Sequence, residues 1–198
     1  MRYRLAIAVS VILISAMALA QPAPSESGQK LGGTESSARI SREVMHELLM
    51  NPYYNVFDNL EYKVDGDTVV LMGQVTDPVV KSDAMASVRR VEGVANVKDE
   101  IEVLPPSPMD SRIRRQLYYS VYGFGGLGRY SMGTNPAIHF IVDNGHVTLV
   151  GEVDSQTDKN IAGIRANSVP GVFSVTNDLR VRSESAGKTQ TPVKGKNG

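Results

Sequence analysis

The chain has 198 residues, with no cysteine, no tryptophan and 21 basic against 21 acidic side chains. That length fits one medium domain or two small ones, zero net charge excludes a general nucleic-acid binder, and the missing cysteine excludes disulfides, thiolate nucleophiles and cysteine metal sites. Hydrophobic residues at 41% and charged residues at 21% fit a globular protein and not a disordered or multi-pass membrane chain.

Met1, Arg2, Tyr3 and Arg4 open the chain, an unbroken apolar run follows from Leu5 to about Leu19, and the small residues Ala18 and Ala20 flank the position of a cut after Ala20. These are the parts of a cleavable secretory signal over 1–20, and they predict a periplasmic protein that is slightly acidic once Arg2 and Arg4 are gone. A retained anchor is the competing reading; against it stand the shortness of the run and the lack of a cysteine to hold a lipid. Residues 21–37 are mostly Pro, Ser, Gly and Gln and predict a disordered linker. Residues 183–198, with Lys188, Lys194 and Lys196 among small and polar neighbours, predict a disordered basic tail.

The first ordered module is expected over 38–104. Ile40, Val44 and Leu48 recur at helical spacing and predict a helix that stops near Asn51, because Pro52 disfavours helix in its predecessor. Leu60, Tyr62 and Val64 alternate with Glu61 and Lys63 as in a half-buried strand, and Asp65-Gly66 turns it into a second strand from Thr68 to Val75. Asp77-Pro78 is an N-cap followed by a first helical position, opening a helix through Ala84, Met85 and Val88. Gly93 ends that unit before a strand with Val97, Ile101 and Val103 on one side.

A Pro-rich spacer at 105–108 precedes a second module at 109–182. Ile113, Leu117 and Val121 predict its first helix, Asn144-Gly145 its hairpin turn, Ser155 with Asp158 its second cap, and a second helix runs through Ile161, Ile164 and Ala166. Between first helix and hairpin it carries a Gly-rich insertion at 123–136, which reads as a mobile surface loop.

The two halves align without a gap from Tyr62 to Val103 over Phe140 to Val181, about a third of the positions being identical, so one module is used twice. Each reads helix, strand, strand, helix, strand. Two strands joined by a tight turn are antiparallel, and a strand, helix, strand connection is a right-handed crossover. The predicted class is α+β: two tandem small αββαβ modules, each a three-stranded mixed sheet with two helices on one face. Gly73 and Gly151, inside the second strands, mark close approach of a helix or a bulge; with Gly93 and Gly171 they are taken as structural glycines.

The Asp65-Gly66 turn, the strands Val69 to Val75 and Val147 to Val153 with their Gly73 and Gly151, and the endings around Gly93-Val94 and Gly171-Val172 resemble the BON domain family, in the OsmY-like arrangement of two tandem domains. The resemblance covers about two thirds of the chain. It implies a non-enzymatic exported protein associated with phospholipid binding, osmotic stress and envelope integrity. Its matching residues are glycines and core positions, so it implies a fold more than a site.

Residues 123–128 match GxGxxG, but a helix precedes them and a strand follows, the reverse of a dinucleotide fingerprint, so no nucleotide is expected. His46, His139 and His146 are scattered singly and read as surface residues; no metal, no cofactor and no catalytic constellation is expected. The leading function is a binding module at a membrane or envelope surface; the alternative is a stress or chaperone-like protein interacting with other exported proteins. The candidate ligand surface is the first helix of the second module with its loop. A helical wheel puts Arg115, Tyr118 and Tyr122 opposite the core stripe, Arg112 and Tyr119 on one flank and Arg114 on the other, with Phe124, Leu127 and Arg129 presented by the loop. Tyrosine with arginine suits an anionic lipid headgroup region. The competing reading is that Tyr118 and Tyr122 cover the other module or their own loop. The first module's outward helix face, with Glu43, His46, Glu47 and Met50, offers little to an anion and reads as structural or as a protein contact.

Overall fold

The computed structural model describes residues 27–182 apart from Thr134, with side chains from Glu35 onward; the expected signal 1–20 and basic tail 183–198 lie outside the described residues. The first module runs α1 (Ser27–Leu49), β1 (Asn59–Asp65), β2 (Thr68–Val75), α2 (Pro78–Val88) and β3 (Asn96–Val103). The second runs α3 (Pro108–Tyr122), a 3-10 helix (Gly125–Ser131), β4 (Ile138–Asp143), β5 (His146–Val153), α4 (Gln156–Asn167), β6 (Ser174–Asn177) and β7 (Arg180–Val181). This is the two-module α+β fold expected from the repeat.

Turn chemistry and caps explain the order. Gly66 takes φ 63° in the first hairpin, and Asn144 and Gly145 take φ 49° and 79° in the second, the left-handed geometry of a tight hairpin. β1–β2 and β4–β5 are therefore antiparallel, while the helical crossovers bring β3 and β6 parallel to the central strands β2 and β5. The last strand of the second module is interrupted: β6 pairs with β5 as far as Asn177, and β7 resumes the pairing at Arg180. Asp77 accepts from the Val79 amide with Pro78 behind it, and Ser155 accepts from the Asp158 amide, each satisfying an orphan donor at a helix start.

Gly73 and Gly151 face equivalent partners, Leu60 and Ile138, across the antiparallel ladder. They adopt φ 110° and 125°, and a Cβ on either would lie 2.1 Å from the Asn59 carbonyl oxygen or 2.0 Å from that of Ala137. The close approach is thus to the neighbouring strand's backbone and not to a helix. Gly93 and Gly171, at φ 90° and 92°, let the turn after the second helix lie against Ile40 and Ile113.

Ile40, Val44 and Leu48 pack on Val69, Leu71, Val75, Ala84 and Val88 in one core; Ile113, Leu117 and Val121 pack on Phe140, Val142, Leu149, Ala162 and Ala166 in the other. Three expectations need correction. α1 begins at Ser27, inside the expected linker 21–37, because extending a helix already anchored at Ile40 is far easier than nucleating one. The spacer 105–108 is not wholly outside the modules: Ser107 caps α3 and Pro108 is its first residue. The insertion is not a mobile loop but folds into the 3-10 helix, with Leu127 and Tyr130 buried. α4 runs through Ile161, Ile164 and Ala166 as expected, turning Ala162 and Ala166 inward and leaving Ile164 exposed.

The modules also touch. Val56 belongs to the second module's core, its carbonyl accepts from the Phe140 amide at 2.8 Å, and Asn135 Nδ2 donates to the Leu49 carbonyl at 3.2 Å. β4 is consequently buried on both faces.

Candidate binding surface

α3 starts where Ser107 Oγ accepts from the Asp110 amide at 3.1 Å. Asp110 points inward, and its buried carboxylate accepts from the amides of Asn144 at 3.1 Å and Gly145 at 2.9 Å, so the first helical turn holds the tip of the β4–β5 hairpin. One turn later Arg114 is also inward, 7% exposed, its Nη2 donating to the Val142 carbonyl at 2.6 Å. Burial lowers its pKa, while Asp110, Asp58 and Asp143 act the other way. The expectation that Arg114 meets an external anion is therefore corrected. An apolar helix face is at least about 100° wide, and position 114, one step from Ile113, falls within it.

Tyr122 is corrected for a different reason: it lies opposite the stripe on the wheel, and the folded insertion and β4 cover it at the end of the helix. It is 7% exposed, its hydroxyl donates to the Ile138 carbonyl, and its ring meets Phe140 edge-on at 5.2 Å. Burial raises its pKa well above the ordinary phenol value.

Arg129 is not offered to a ligand either. Its Nε lies 3.2 Å from Asp154 Oδ2 and its Nη2 2.8 Å from Asp158 Oδ2, with the guanidinium 4.5 Å from the Tyr130 ring centroid. The Tyr130 hydroxyl accepts from the Asp154 amide at 2.7 Å and donates to Asp158 at 3.1 Å. The hydrogen bond from Arg129 holds the Asp154 carboxyl below the usual range, with Tyr130 and Arg182 adding to it. This network pins the insertion to the start of α4. Neutralised internally, Arg129 has a structural role.

What remains of the predicted surface is a contiguous strip. Arg112 and Arg115 are exposed, and among the described residues neither has an ion pair or hydrogen bond. Tyr119 is 74% exposed; Tyr118 is 37% exposed and sits edge-on between Tyr119 at 5.6 Å and Tyr122 at 5.2 Å. Phe124 is exposed at the helix end, with the guanidinium of Arg165 at 5.1 Å from its ring centroid. Arg165 extends the strip from α4 and was missed in the sequence. Arg165 reaches it because its Nε donates to the Ser120 carbonyl while Ser120 Oγ donates to its own carbonyl, both at 3.0 Å. No sequence spacing foretells that pairing of two helices.

The equivalent face of α1 shows Arg39, which donates to the Glu92 carbonyl at 3.1 Å, the exposed Arg42, and Met45 and His46 in place of the tyrosines, then Leu49, Met50 and Tyr53 at its end. His46 and His146 are exposed as expected, but His139 is buried at the seam between modules, stacked on Tyr54 at 5.2 Å. Strand alternation places it outward, and the first module covers it. A cleft of about 380 Å³ between the sheets is lined by Glu61, Glu102, Asp143, His146 and Asp178. Among the described residues no three side chains are grouped to hold a metal ion, and no helix is long and apolar enough to cross a membrane.

The BON domain family matches the chain over residues 36–105 and 131–183, one region in each module. The chain belongs to the BON domain family. A search among curated proteins finds no match. Among solved structures, it is similar at 13% identity and TM-score 0.30 to CdsD, a structural protein of the type III secretion system of Chlamydia trachomatis, covering 79% of this chain and 99% of that one. The C-terminal domain of CdsD is similar at 12% identity and TM-score 0.28, covering 71% and 96%. Likeness that slight bears on neither fold nor function. Membership in the BON family points to a non-enzymatic, envelope-associated binding module.

Proposed function

We propose that this chain is an exported BON protein that binds an anionic phospholipid surface through the outward face of α3. The observation that carries this reading is the strip of Arg112, Arg115, Tyr118, Tyr119 and Phe124, in which two exposed guanidinium groups have no partner among the described residues and flank exposed aromatic rings. Arginine pairs with phosphate while tyrosine rests at the apolar boundary of the headgroup region. In this reading the signal 1–20 is removed after Ala20 and the protein acts in the periplasm; the modules span 38–104 and 109–182.

Co-sedimentation with anionic and with neutral vesicles tests it. Each arginine near such a surface contributes on the order of 1 kcal/mol, so Arg112→Ala with Arg115→Ala should weaken binding by roughly 30-fold, with a weaker effect at high salt. Equal binding by the double variant, or equal binding to neutral vesicles, would refute it.

A second reading is favoured by Met45, Leu49, Met50 and Tyr53, exposed together at the end of α1: contacts of the first module with other exported proteins. Suppression of client aggregation without lipid, diminished by Met45→Ser with Met50→Ser, would support that role.

A further inference from the structure

The seam between the modules holds a titratable group that the proposed surface does not use. His139 is 8% exposed, its ring is stacked on Tyr54 of the first module at 5.2 Å with the planes 26° apart, and its Nδ1 is buried without a hydrogen-bond partner. One residue further along β4, the Phe140 amide donates to the Val56 carbonyl at 2.8 Å, and Val56 itself is buried in the second module's core. The segment from Tyr54 to Asp58 therefore lies against β4 as a clasp, and His139 is the side chain beneath it.

We propose that this clasp is an acid-sensitive latch, closed while His139 is neutral and released when the imidazole takes up a proton. A neutral imidazole needs one donor satisfied, whereas the cation needs two, and in the closed seam one ring nitrogen already lacks a partner. Burial lowers the His139 pKa from its ordinary 6.5. A group whose value is depressed in the closed form contributes its full stabilisation above the ordinary value and loses it as pH falls from there towards the closed-form value. Each unit of separation changes the ratio of closed to open form about tenfold.

The groups facing His139 set the balance. From the clasp come Tyr54, whose pKa burial pushes up to about 12, and Asp58, whose carboxylate would welcome a cation. Asp58 is already engaged, accepting from the Thr76 amide at 2.7 Å, Thr76 Oγ1 at 2.8 Å and the Asn55 amide at 3.0 Å, and burial raises its own pKa. Across β5 the directly opposite residue is Val150. Its neighbour on that face, Glu152, is paired with Arg180 at 3.5 Å. Further along, Glu61, Glu102 and Asp143 line the cleft beyond Ile141. The Asp58 carboxylate and the backbone carbonyls of Asp58, Asn55 and Pro136 thus oppose release, while burial of the ring, with Nδ1 lacking a partner among the described residues, favours it and is the larger effect.

The chain has no cysteine, so Lys98→Cys and Asn160→Cys, both at exposed positions on different modules, allow a donor and acceptor dye to report their separation. The expected result is a reversible fall in transfer between about pH 8 and about pH 5, its midpoint below 6.5, and no fall in the same protein carrying His139→Gln. Constant transfer in the parent, or an equal fall in the glutamine variant, overturns the latch. If His139→Gln is open throughout, His139→Phe, which keeps a ring on Tyr54 and cannot titrate, takes its place: closed throughout supports the latch, and opening with acid overturns it. If that variant too is open throughout, the NMR titration of His139 in the parent chain decides. A value below 6.5 that follows the opening supports the latch; a value at or above 6.5, with Asp58 holding the cation, overturns it.

Discussion

α1 and α3 occupy equivalent places, present equivalent apolar stripes to equivalent sheets and are met by equivalent glycines, and Arg39 and Arg42 even answer to Arg112 and Arg115, yet where α3 has Tyr118 and Tyr119, α1 has Met45 and His46. Ile40, Val44 and Leu48 answer to Ile113, Leu117 and Val121, and Gly93 answers to Gly171. Outward, α1 carries Arg42, Glu43, Met45 and His46, with Arg39 tied to the Glu92 carbonyl at 3.1 Å, while α3 carries Arg112, Arg115, Tyr118 and Tyr119. Positions that pack are held by the fold in both modules; among those that do not pack, the arginine spacing is kept and the tyrosine pair is not, and that pair is where a separate role for the second module resides. The second module turns charge inward through Asp110, Arg114 and Asp158, at places where the first has Ser37, Ser41 and Val80, while the first module buries Asp58 instead.

The largest expected effect strikes what the modules share. Gly151→Ala and Gly73→Ala would each place a methyl group within about 2 Å of a neighbouring carbonyl oxygen at a positive φ. Each should cost more than about 3 kcal/mol, read as the loss or large lowering of one module's thermal transition; a cost below about 1 kcal/mol in either would show that the modules are not built alike.

A smaller effect separates them. Where α3 uses Arg114 to reach the Val142 carbonyl, the matching place in α1 has Ser41, whose hydroxyl lies 3.0 Å from the Tyr62 hydroxyl. Arg114→Ala leaves a buried carbonyl without a donor and should cost about 2 kcal/mol, whereas Ser41→Ala should cost about 1 kcal/mol or less. Denaturant unfolding of the two variants gives the ranking, and equal costs would remove the distinction.

The smallest concerns the insertion. Tyr130→Phe removes the hydroxyl that joins the Asp154 amide to the Asp158 carboxylate, at an expected cost of about 1 kcal/mol. Faster hydrogen exchange at Leu127 and Tyr130, with exchange in the first module unchanged, would mark the loss as local.

Gapless self-alignment showed the repeat, and hairpin dipeptides and helix caps showed the order of elements, because each of those signals depends on neighbours a few residues apart. Arg114 was misplaced because periodicity locates the centre of a helix face and not its edges; Tyr122, opposite that centre, was misplaced because the folded insertion and β4 cover the end of the helix. Arg129 looked like a free cation in a glycine-rich stretch; its carboxylate partners Asp154 and Asp158 come from a part of the chain that only tertiary structure brings near. His139 obeys strand alternation and would be exposed in an isolated second module. Asp58 gave no sequence signal at all, since an aspartate in a loop is ordinarily solvated, yet it is fully buried and carries three hydrogen bonds from its surroundings.

The asymmetry between the two helices can be read with a single reporter. The chain has no tryptophan, and His46 and Tyr119 stand at matching exposed positions on α1 and α3, so His46→Trp and Tyr119→Trp differ only in which module is probed. On titration with anionic vesicles, the account predicts a blue-shifted emission and protection from an aqueous quencher for the tryptophan at position 119, reversed by salt, and no change at position 46. No response at position 119, or an equal response at both positions, would contradict it.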